Sequence, residues 1–312
     1  MSQQSAIVDK LLTNVSRGLF NEKSQFIVDS ILPVISSAQS SGKIGSYGKE
    51  NLRITNTIMG GKGGARRINS NSTSSDSFYI EPHGLSDIVT KQDKANYEKP
   101  FEALADSTEQ LWEMLMLGKE KSLADSLGST TVMSKNTTLT GTDQWSDYNN
   151  SDPLGVAKDA AASIHDNAGR VQNKAVIDWK TCNTLKYHPQ ILENLGFSRA
   201  RAGLMKPAEL AFAFDVDELL VGSVKYNSAD LGQTDTLANV WGDNMIFMYS
   251  PKVAKRKDQA LGFQIVPTKD AFGVYKSALS NPPLATEIVH TMDYDIVLTD
   301  VNCAYLVYDC LA

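Results

Sequence analysis

The chain has 312 residues, enough for one large domain or two linked lobes, and 42% of them are hydrophobic and 21% charged. This composition is typical of a folded globular protein and excludes the disordered, fibrous and membrane-embedded classes. The formal net charge of -6 argues against a nucleic-acid-binding protein, because binding to phosphates requires a surplus of Lys and Arg on one face.

The three cysteines include no CxxC pair, which is typical of a reducing compartment. The first residues, MSQQSAIVDK, lack the basic and apolar blocks of a secretory signal. No apolar run reaches the roughly 20 residues that span a bilayer. We therefore expect a protein that is made in the cytoplasm.

The first 35 residues have apolar side chains at helical spacing. One stripe contains Ile7, Leu11, Val15 and Leu19, and a second apolar patch ends at Pro33. Because the stripe precedes the compact part of the chain, we expect it to need a partner surface. Deletion of residues 1–35 is then expected to leave soluble protein that fails to form stable assemblies.

Residues 36–77 are rich in Ser, Gly, Asn, Lys and Arg and cannot form a core alone. Residues 51–59 and 77–80 have the alternation expected of strands, and GGKGGARR lies between them at residues 60–67. The pattern predicts a long two-stranded projection with a basic tip. Such a hairpin is marginally stable unless it packs on another surface, such as a second subunit.

A long helix is predicted from Pro100 to Leu127. Its apolar residues recur at helical spacing, proline suits the first turn, and Gly128 supplies the end. Residues 130–148 are expected to form short strands and polar loops.

A second lobe is predicted to begin at Asp152, which suits a helix N-cap, and its first helix is expected to end at Gly169. Downstream we expect a strand at 175–177, two short helices divided by His188 and Pro189, and a helix that begins at Pro207. Strands are predicted at 218–226, 245–249 and 262–266. The lobe is therefore a mixed α and β unit.

The segment 286–311 is rich in Val, Ile, Tyr and Thr and alternates in polarity. It predicts two or three strands, with turns near Asp293 and Asp300.

Three charged motifs give only weak evidence of a phosphate, metal or nucleic-acid site. GGKGGARR lacks the spacing of a phosphate-binding loop, and no Ser or Thr follows Lys62. FDVDEL, residues 214–219, places three carboxylates together but lacks the rest of a calcium-binding loop, so that a solvated turn is the better interpretation. The basic run at residues 251–257 has no interleaved aromatic residues and indicates a solvated loop.

Candidate catalytic and metal-binding residues do not cluster in the sequence. The histidines at positions 83, 165, 188 and 290 are scattered without zinc-binding spacing. There is no GxSxG motif, and Cys182 lies on a predicted amphipathic helix where a buried thiol is the common case. We expect no catalysis, no metal and no cofactor.

Two stretches resemble a known family. NKAVIDWKTCNTLKYHPQILENL, residues 173–195, and FDVDELLVGSVKYNSADLGQTDTLANVWGDNMIFMY, residues 214–249, are similar in pattern and order to the major capsid proteins of tailed bacteriophages. The order of predicted elements resembles their Hong Kong 97 fold across nearly the whole chain. The resemblance implies an α+β fold with a mixed sheet and flanking helices.

The resemblance also implies a division of the chain. It places an N-terminal arm at 1–45, an extended β-hairpin loop at 46–81, a peripheral domain at 82–151 with a spine helix at about 100–127, an axial domain at 152–283, and strands returning to the peripheral domain at 284–312. Contacts between subunits are expected from the arm and from the basic tip, at Ile7, Leu11, Val15, Leu19, Gly60, Gly61, Lys62, Gly63, Gly64, Arg66 and Arg67.

The implied function is that of a structural protein that self-assembles into an icosahedral head around double-stranded DNA. Its partners are then other copies in hexamers and pentamers, portal and scaffolding proteins, a cement protein, and DNA by non-specific contact, with no membrane. The implied location is the virion, after synthesis in the host bacterial cytoplasm. The alternatives are a shell subunit of an encapsulin-type compartment, which shares the fold, and a cytoplasmic enzyme.

Overall fold

The structure is a computed structural model that describes residues 7–8, 25–47, 49, 54, 74–96, 100–198, 203, 205–230, 232–254, 259–279 and 284–312. Within these residues the strands form two large sheets and two ribbons. The six-stranded sheet contains β1 (Ile7–Val8), β2 (Val34–Ser37), β5 (Glu81–Thr90), β12 (Gly262–Pro267), β13 (Phe272–Leu279) and β14 (Ala285–Leu298). The five-stranded sheet contains β6 (Asn136–Thr138), β7 (Lys174–Asp178), β8 (Glu218–Gly222), β11 (Met245–Met248) and β15 (Ala304–Tyr308).

Each ribbon has two antiparallel strands. One pairs β3 (Ser41–Ser46) with β4 (Ser74–Tyr79), and the other pairs β9 (Lys225–Asn227) with β10 (Leu237–Asn239). The described helices are α1 (Val28–Ile31), α2 (Lys91–Asn96), α3 (Pro100–Leu127), α4 (Pro153–Ala168), α5 (Trp179–Lys186), α6 (Pro189–Leu195) and α7 (Pro207–Ala213). Two turns of 3₁₀ helix lie at Gly141–Asp143 and Val301–Cys303.

The five-stranded sheet has the order β6-β15-β11-β7-β8 and is covered on both faces. Helix α1 and the C-terminal half of α3 pack on one face, and α4 to α7 pack on the other. Every residue of β7 and β11 is buried, as expected of strands with a helical layer on each side. This sheet is therefore the centre of a closed three-layer lobe.

The six-stranded sheet is covered by a helix on one face. The N-terminal half of α3 packs there, with Leu104 and Leu111 against Val89, Val274 and Ile288. Strand β14 alternates between buried and partly exposed residues along most of its length, and Ile88 on the opposite face of β5 is 53% exposed. Helix α3 thus joins the two lobes, one with each half.

Most local predictions in the second lobe are confirmed. Helix α4 begins after Asp152, whose side chain accepts a hydrogen bond from the Gly155 amide at 2.8 Å, and it ends at Gly169 in the left-handed conformation. The strand at 175–177, the helices divided by His188 and Pro189, and the helix that begins at Pro207 are all present. Capping and proline signals are local, so the sequence alone reveals them.

The interpretation of the first 45 residues as an external arm is wrong from Gln25 onward. Val28 and Ile31 of α1 are completely buried between α3 and the sheets, and β2 pairs in parallel with β12. The helical stripe is also wrong at its first member, because Ile7 lies in β1 and pairs with Lys276. The remaining stripe positions, Leu11, Val15 and Leu19, lie outside the described residues.

The predictions for the hairpin and the C-terminal segment need three corrections. The described partner of β4 is β3, which begins at Ser41 inside the predicted arm, whereas 51–59 lies almost entirely outside the described residues. Strand β14 passes through Asp293 without the predicted turn, because β5 and β13 hold it on both edges, and the turn near Asp300 is confirmed.

The third correction concerns which sheet each of the later strands joins. Strand β14 does lie in the six-stranded sheet, but β15 lies in the five-stranded sheet between β6 and β11. Strands β12 and β13, assigned to the axial domain, belong to the six-stranded sheet. The sheet that a strand joins depends on pairing with strands far away in the sequence, and local polarity does not predict that pairing.

Candidate intersubunit surfaces

A buried carboxylate connects the two lobes. Glu120 of α3 is completely buried and accepts hydrogen bonds from the Ile27 amide at 2.9 Å and from Trp241 Nε1 at 2.8 Å. Burial raises the pKa of Glu120, and the two hydrogen bonds oppose that rise. Trp241 is fixed in turn because its indole fills the space that a side chain at Gly222 would need.

The preceding residue connects α3 to the six-stranded sheet. Lys119 is 4% exposed, forms an ion pair with Asp29 of α1 at 2.5 Å, and lies 5.1 Å from the centre of the Tyr294 ring. Two consecutive residues of α3 therefore contact the α1 segment, the six-stranded sheet and the loop that precedes β11. This arrangement fixes the relative position of the layers more specifically than apolar packing alone.

The ribbon of β3 and β4 is attached to the six-stranded sheet at its root. Ile80, Ile265 and Val297 form a small buried cluster there, with Ile44 and Phe78 packed against it. The Tyr79 amide donates to Asp295 of β14 at 2.8 Å, and the Ile80 amide donates to the Ser40 carbonyl at 2.8 Å. Gly42 lies close to this cluster, since an added Cβ would lie 2.9 Å from the Phe78 ring and would force the ring to shift.

Beyond Ser46 and Ser74 the ribbon leads into the predicted basic tip. The tip residues Gly60, Gly61, Lys62, Gly63, Gly64, Arg66 and Arg67 lie outside the described residues. The structure thus gives the position of the ribbon's root and leaves the role of the tip a prediction.

A cavity of about 280 Å³ lies between α1, α3 and the six-stranded sheet. Trp112, Phe272, Met292 and Tyr294 contribute to a wall that is almost entirely apolar. Asp29, Val34 and Asp293 also line it, and Val34 is 49% exposed. The sequence gives no signal for this cavity, because its walls come from six elements that extend from α1 to β14 along the chain.

One Ser-His pair has the appearance of a catalytic dyad. Ser151 Oγ lies 3.0 Å from His188 Nε2, but the same hydroxyl donates to the Asp147 carbonyl at 2.6 Å. A hydroxyl has one proton, so His188 must be the donor to Ser151. Histidine in that role cannot act as a base toward the serine, and both side chains are buried.

The other candidate catalytic and metal-binding residues lie in surroundings that are typical of residues with a structural role. No group of three His, Cys, Asp or Glu side chains in the described part of the chain is arranged to hold a metal. Glu218 of FDVDEL lies 3.5 Å from Lys174. Cys182, Cys303 and Cys310 are buried and form no disulfide, and burial raises the pKa of Cys182 to about 11.

No described helix is long and apolar enough to cross a membrane.

Several exposed aromatic side chains lie on the helical lobe, with Phe212 of α7 79% exposed and Trp179 of α5 57% exposed. Sequence analysis did not identify these residues, because an aromatic residue on a short helix is more often part of the core.

Comparisons with known proteins identify the relatives of the chain. No protein-family model matches it. It is 28% identical over 302 residues to the major capsid protein of Burkholderia phage BcepMu, covering 96% of this chain and 93% of that protein. Its fold matches a phage-related protein from Bordetella bronchiseptica RB50, with a TM-score of 0.76, 23% identity, and coverage of 98% of this chain and 99% of that one.

A more distant structural match is the capsid of the cyanophage P-SCSP1u. The TM-score is 0.53 at 13% identity, with 90% of this chain and 86% of that chain covered. The matches in sequence and in fold extend over nearly the entire chain. They confirm the α+β Hong Kong 97 type of fold and the resemblance to phage major capsid proteins.

Proposed function

We infer that the chain belongs to the phage major capsid proteins and forms the wall of the virion as many copies of itself. The observation that carries this inference is the agreement with the BcepMu major capsid protein over 96% of the chain, on a fold that matches a phage-related protein at a TM-score of 0.76. The curated relatives favour a phage shell over the encapsulin-type alternative.

We propose that the repeating units of the wall are hexamers and pentamers, with portal, scaffolding and cement proteins as further partners and DNA bound only non-specifically. In this proposal the closed lobe around the five-stranded sheet is the axial domain, which meets its copies at the centre of each capsomer. The half-covered sheet and the ribbon then meet neighbouring subunits. The partly exposed face of the six-stranded sheet, with Ile88 53% exposed, supports this assignment.

The protein is proposed to have no catalytic activity. The relatives are named major capsid proteins. In the Ser-His pair described above, the serine hydroxyl donates its proton to the Asp147 carbonyl and not to the histidine. Washed particles should contain no stoichiometric transition metal. A metal present at full occupancy would contradict the proposal.

The function is tested by expressing the chain and examining the product by electron microscopy. Closed icosahedral shells are expected, either from the chain alone or with a scaffolding protein. Material that stays monomeric under every assembly condition would contradict the function.

The role of the basic tip is tested by Arg66→Glu combined with Arg67→Glu. An exposed ion pair contributes only about 0–1 kcal/mol, but the same contact repeated around every capsomer shifts assembly. The melting temperature of the subunit should stay nearly unchanged while the yield or salt tolerance of closed particles falls. Equal yield and equal disassembly across salt concentrations would contradict a role for the tip.

A further inference from the structure

The cavity between α1, α3 and the six-stranded sheet has a buried amide side chain in its wall. Gln264 of β12 lines the cavity and is completely buried. Val266, two residues further on, lines it as well, whereas Ile265 packs into the cluster at the root of the ribbon. Because successive side chains of a strand point to opposite faces, Gln264 and Val266 lie on the face of the sheet toward α1 and α3.

The orientation of this amide is fixed by two carbonyl groups. Gln264 Nε2 donates to the Val28 carbonyl at 2.8 Å and to the Leu32 carbonyl at 3.4 Å. A carbonyl oxygen only accepts, so the nitrogen must face the α1 segment and the side-chain oxygen must face away from it. Among the described residues, no group donates a hydrogen bond to Gln264 Oε1. A buried acceptor without a donor is unfavourable, and a ligand that brings a donor would remove that cost.

The rest of the wall favours an aromatic ligand. Trp112, Phe272 and Tyr294 contribute aromatic side chains, and Met292 adds a thioether. Aromatic rings and sulfur both pack favourably against another ring. The volume of about 280 Å³ exceeds the roughly 150 Å³ of an apolar cavity that holds one benzene, so that a bicyclic ring fits.

The wall disfavours a charged ligand. The carboxylates of Asp29 and Asp293 would repel an anion. Asp29 is already paired with Lys119 and therefore does not require a second cation. Transfer of a charge from water into an apolar space is also far less favourable than transfer of a neutral group. A neutral molecule is the best fit.

Val34 gives the cavity an open side. It lines the cavity, is 49% exposed, and lies opposite Gln264 in the pairing of β2 with β12. Neighbouring strands are only about 4.8 Å apart. A molecule that enters past Val34 therefore reaches the buried amide within one strand spacing.

We propose that this cavity binds a neutral bicyclic aromatic molecule whose single N–H or O–H group donates a hydrogen bond to Gln264 Oε1. The ring of the ligand packs against Trp112, Phe272 and Tyr294. The bound molecule contacts α1, α3 and the six-stranded sheet together, and so stabilises the folded subunit. This inference goes beyond the proposed function and does not depend on it.

The proposal is tested by calorimetric titration of the purified chain with indole. Indole has the required shape and one N–H donor, and we expect saturable binding of one molecule per chain. The matched control ligand is benzofuran, which keeps the bicyclic ring but has an oxygen in place of the N–H. Loss of the hydrogen bond to Gln264 should weaken binding about tenfold. The melting temperature of the chain should rise with indole concentration.

Two alanine substitutions locate the site. Ala271 lines the cavity, and Ala271→Phe should fill it and abolish indole binding. Ala254→Phe is the matched control, because Ala254 is also partly exposed but lines a separate groove beneath the ribbon. Circular dichroism checks that both variants fold. If Ala271→Phe does not fold, Val34→Phe on the open side of the cavity takes its place.

Three results would overturn the proposal. One is the absence of saturable binding of indole. Another is equal affinity for indole and benzofuran, since Gln264 would then have no part in recognition. The third is equal indole binding by the cavity variant and by Ala254→Phe, which would place the ligand elsewhere. Each of these results leaves the shell function intact, because electron microscopy of the particles tests that function separately.

Discussion

The two large sheets differ in how completely the chain covers them. The five-stranded sheet has helices on both faces, and its central strands β7 and β11 are buried at every residue. The six-stranded sheet has α3 on one face, a partly exposed opposite face, and an apolar cavity with acidic residues in its wall. The five-stranded sheet is thus covered by its own chain, whereas the six-stranded sheet leaves surfaces for other subunits to cover.

This difference suggests that the stability of the subunit and the stability of the shell reside in different parts of one chain. Apolar surface that folding leaves exposed is available for association. Substitutions should therefore separate into those that unfold the subunit and those that weaken only its assembly.

The largest effect is expected from the N-terminal segment. Deleting residues 1–35 removes the first half of β2 and all of α1, whose Val28 and Ile31 fill the space between α3 and the sheets. No folded subunit should therefore remain. Deleting residues 1–24 leaves that core intact and should give a folded subunit with weaker assembly. Circular dichroism and soluble yield distinguish the two. A normal melting curve for the longer deletion would show that α1 is dispensable.

The two sheets should respond differently to the same substitution. Ile177→Ser in β7 removes a completely buried side chain and should lower the free energy of unfolding by about 3–5 kcal/mol. Ile88→Ser in β5, where the isoleucine is 53% exposed, should cost less than about 1 kcal/mol. Denaturant titration of isolated subunits measures both. Equal losses would contradict the contrast between the sheets.

The junction between the lobes should depend on Glu120. Glu120→Ala leaves the Ile27 amide and Trp241 Nε1 without their acceptor, and we expect a loss of about 2–4 kcal/mol in the free energy of unfolding. Asp125→Ala on the same helix removes only an exposed ion pair with Lys121 and should change that free energy by less than about 0.5 kcal/mol. Similar values for both would mean that the buried hydrogen bonds contribute little.

The smallest effect concerns acid stability of the six-stranded sheet. Burial lowers the pKa of His290 to about 4, so that below pH 6.5 the unfolded chain binds a proton that the folded chain does not. The free energy of unfolding should fall by about 1–3 kcal/mol between pH 6.5 and 4. His290→Gln should reduce this change of the unfolding free energy with pH, which denaturant titrations at several pH values measure. An unchanged slope would show that other groups dominate.

Sequence reasoning succeeded where the signal was local. Asp152, Pro153 and Gly169 delimit α4 through capping and proline geometry that a few neighbouring residues determine. The helical spacing of the apolar residues along α3 was equally visible in the sequence, and the bounds of the helix match the prediction. These features depend on the backbone near each residue and hardly on the rest of the fold.

Features that depend on distant pairing were missed. Gln25 to Ser37 has the polarity of an amphipathic segment in either an arm or a core, and only the fit against α3 and β12 decides between them. The cavity and the connection between Glu120 and Trp241 arise from elements more than a hundred residues apart. The sequence could therefore propose the basic tip as a contact from local composition, but it could not reveal the cavity or this buried connection.

The position of β15 has a consequence for how each copy is made. This strand, Ala304–Tyr308, lies between β6 and β11 in a sheet whose other strands end at Met248. Nascent chains usually fold one domain at a time from the N-terminus, but this sheet cannot close until its last strand has left the ribosome. A chain that terminates early would lack an interior strand and expose its apolar edges. Translation through β15 thus becomes a condition for a subunit to enter a shell.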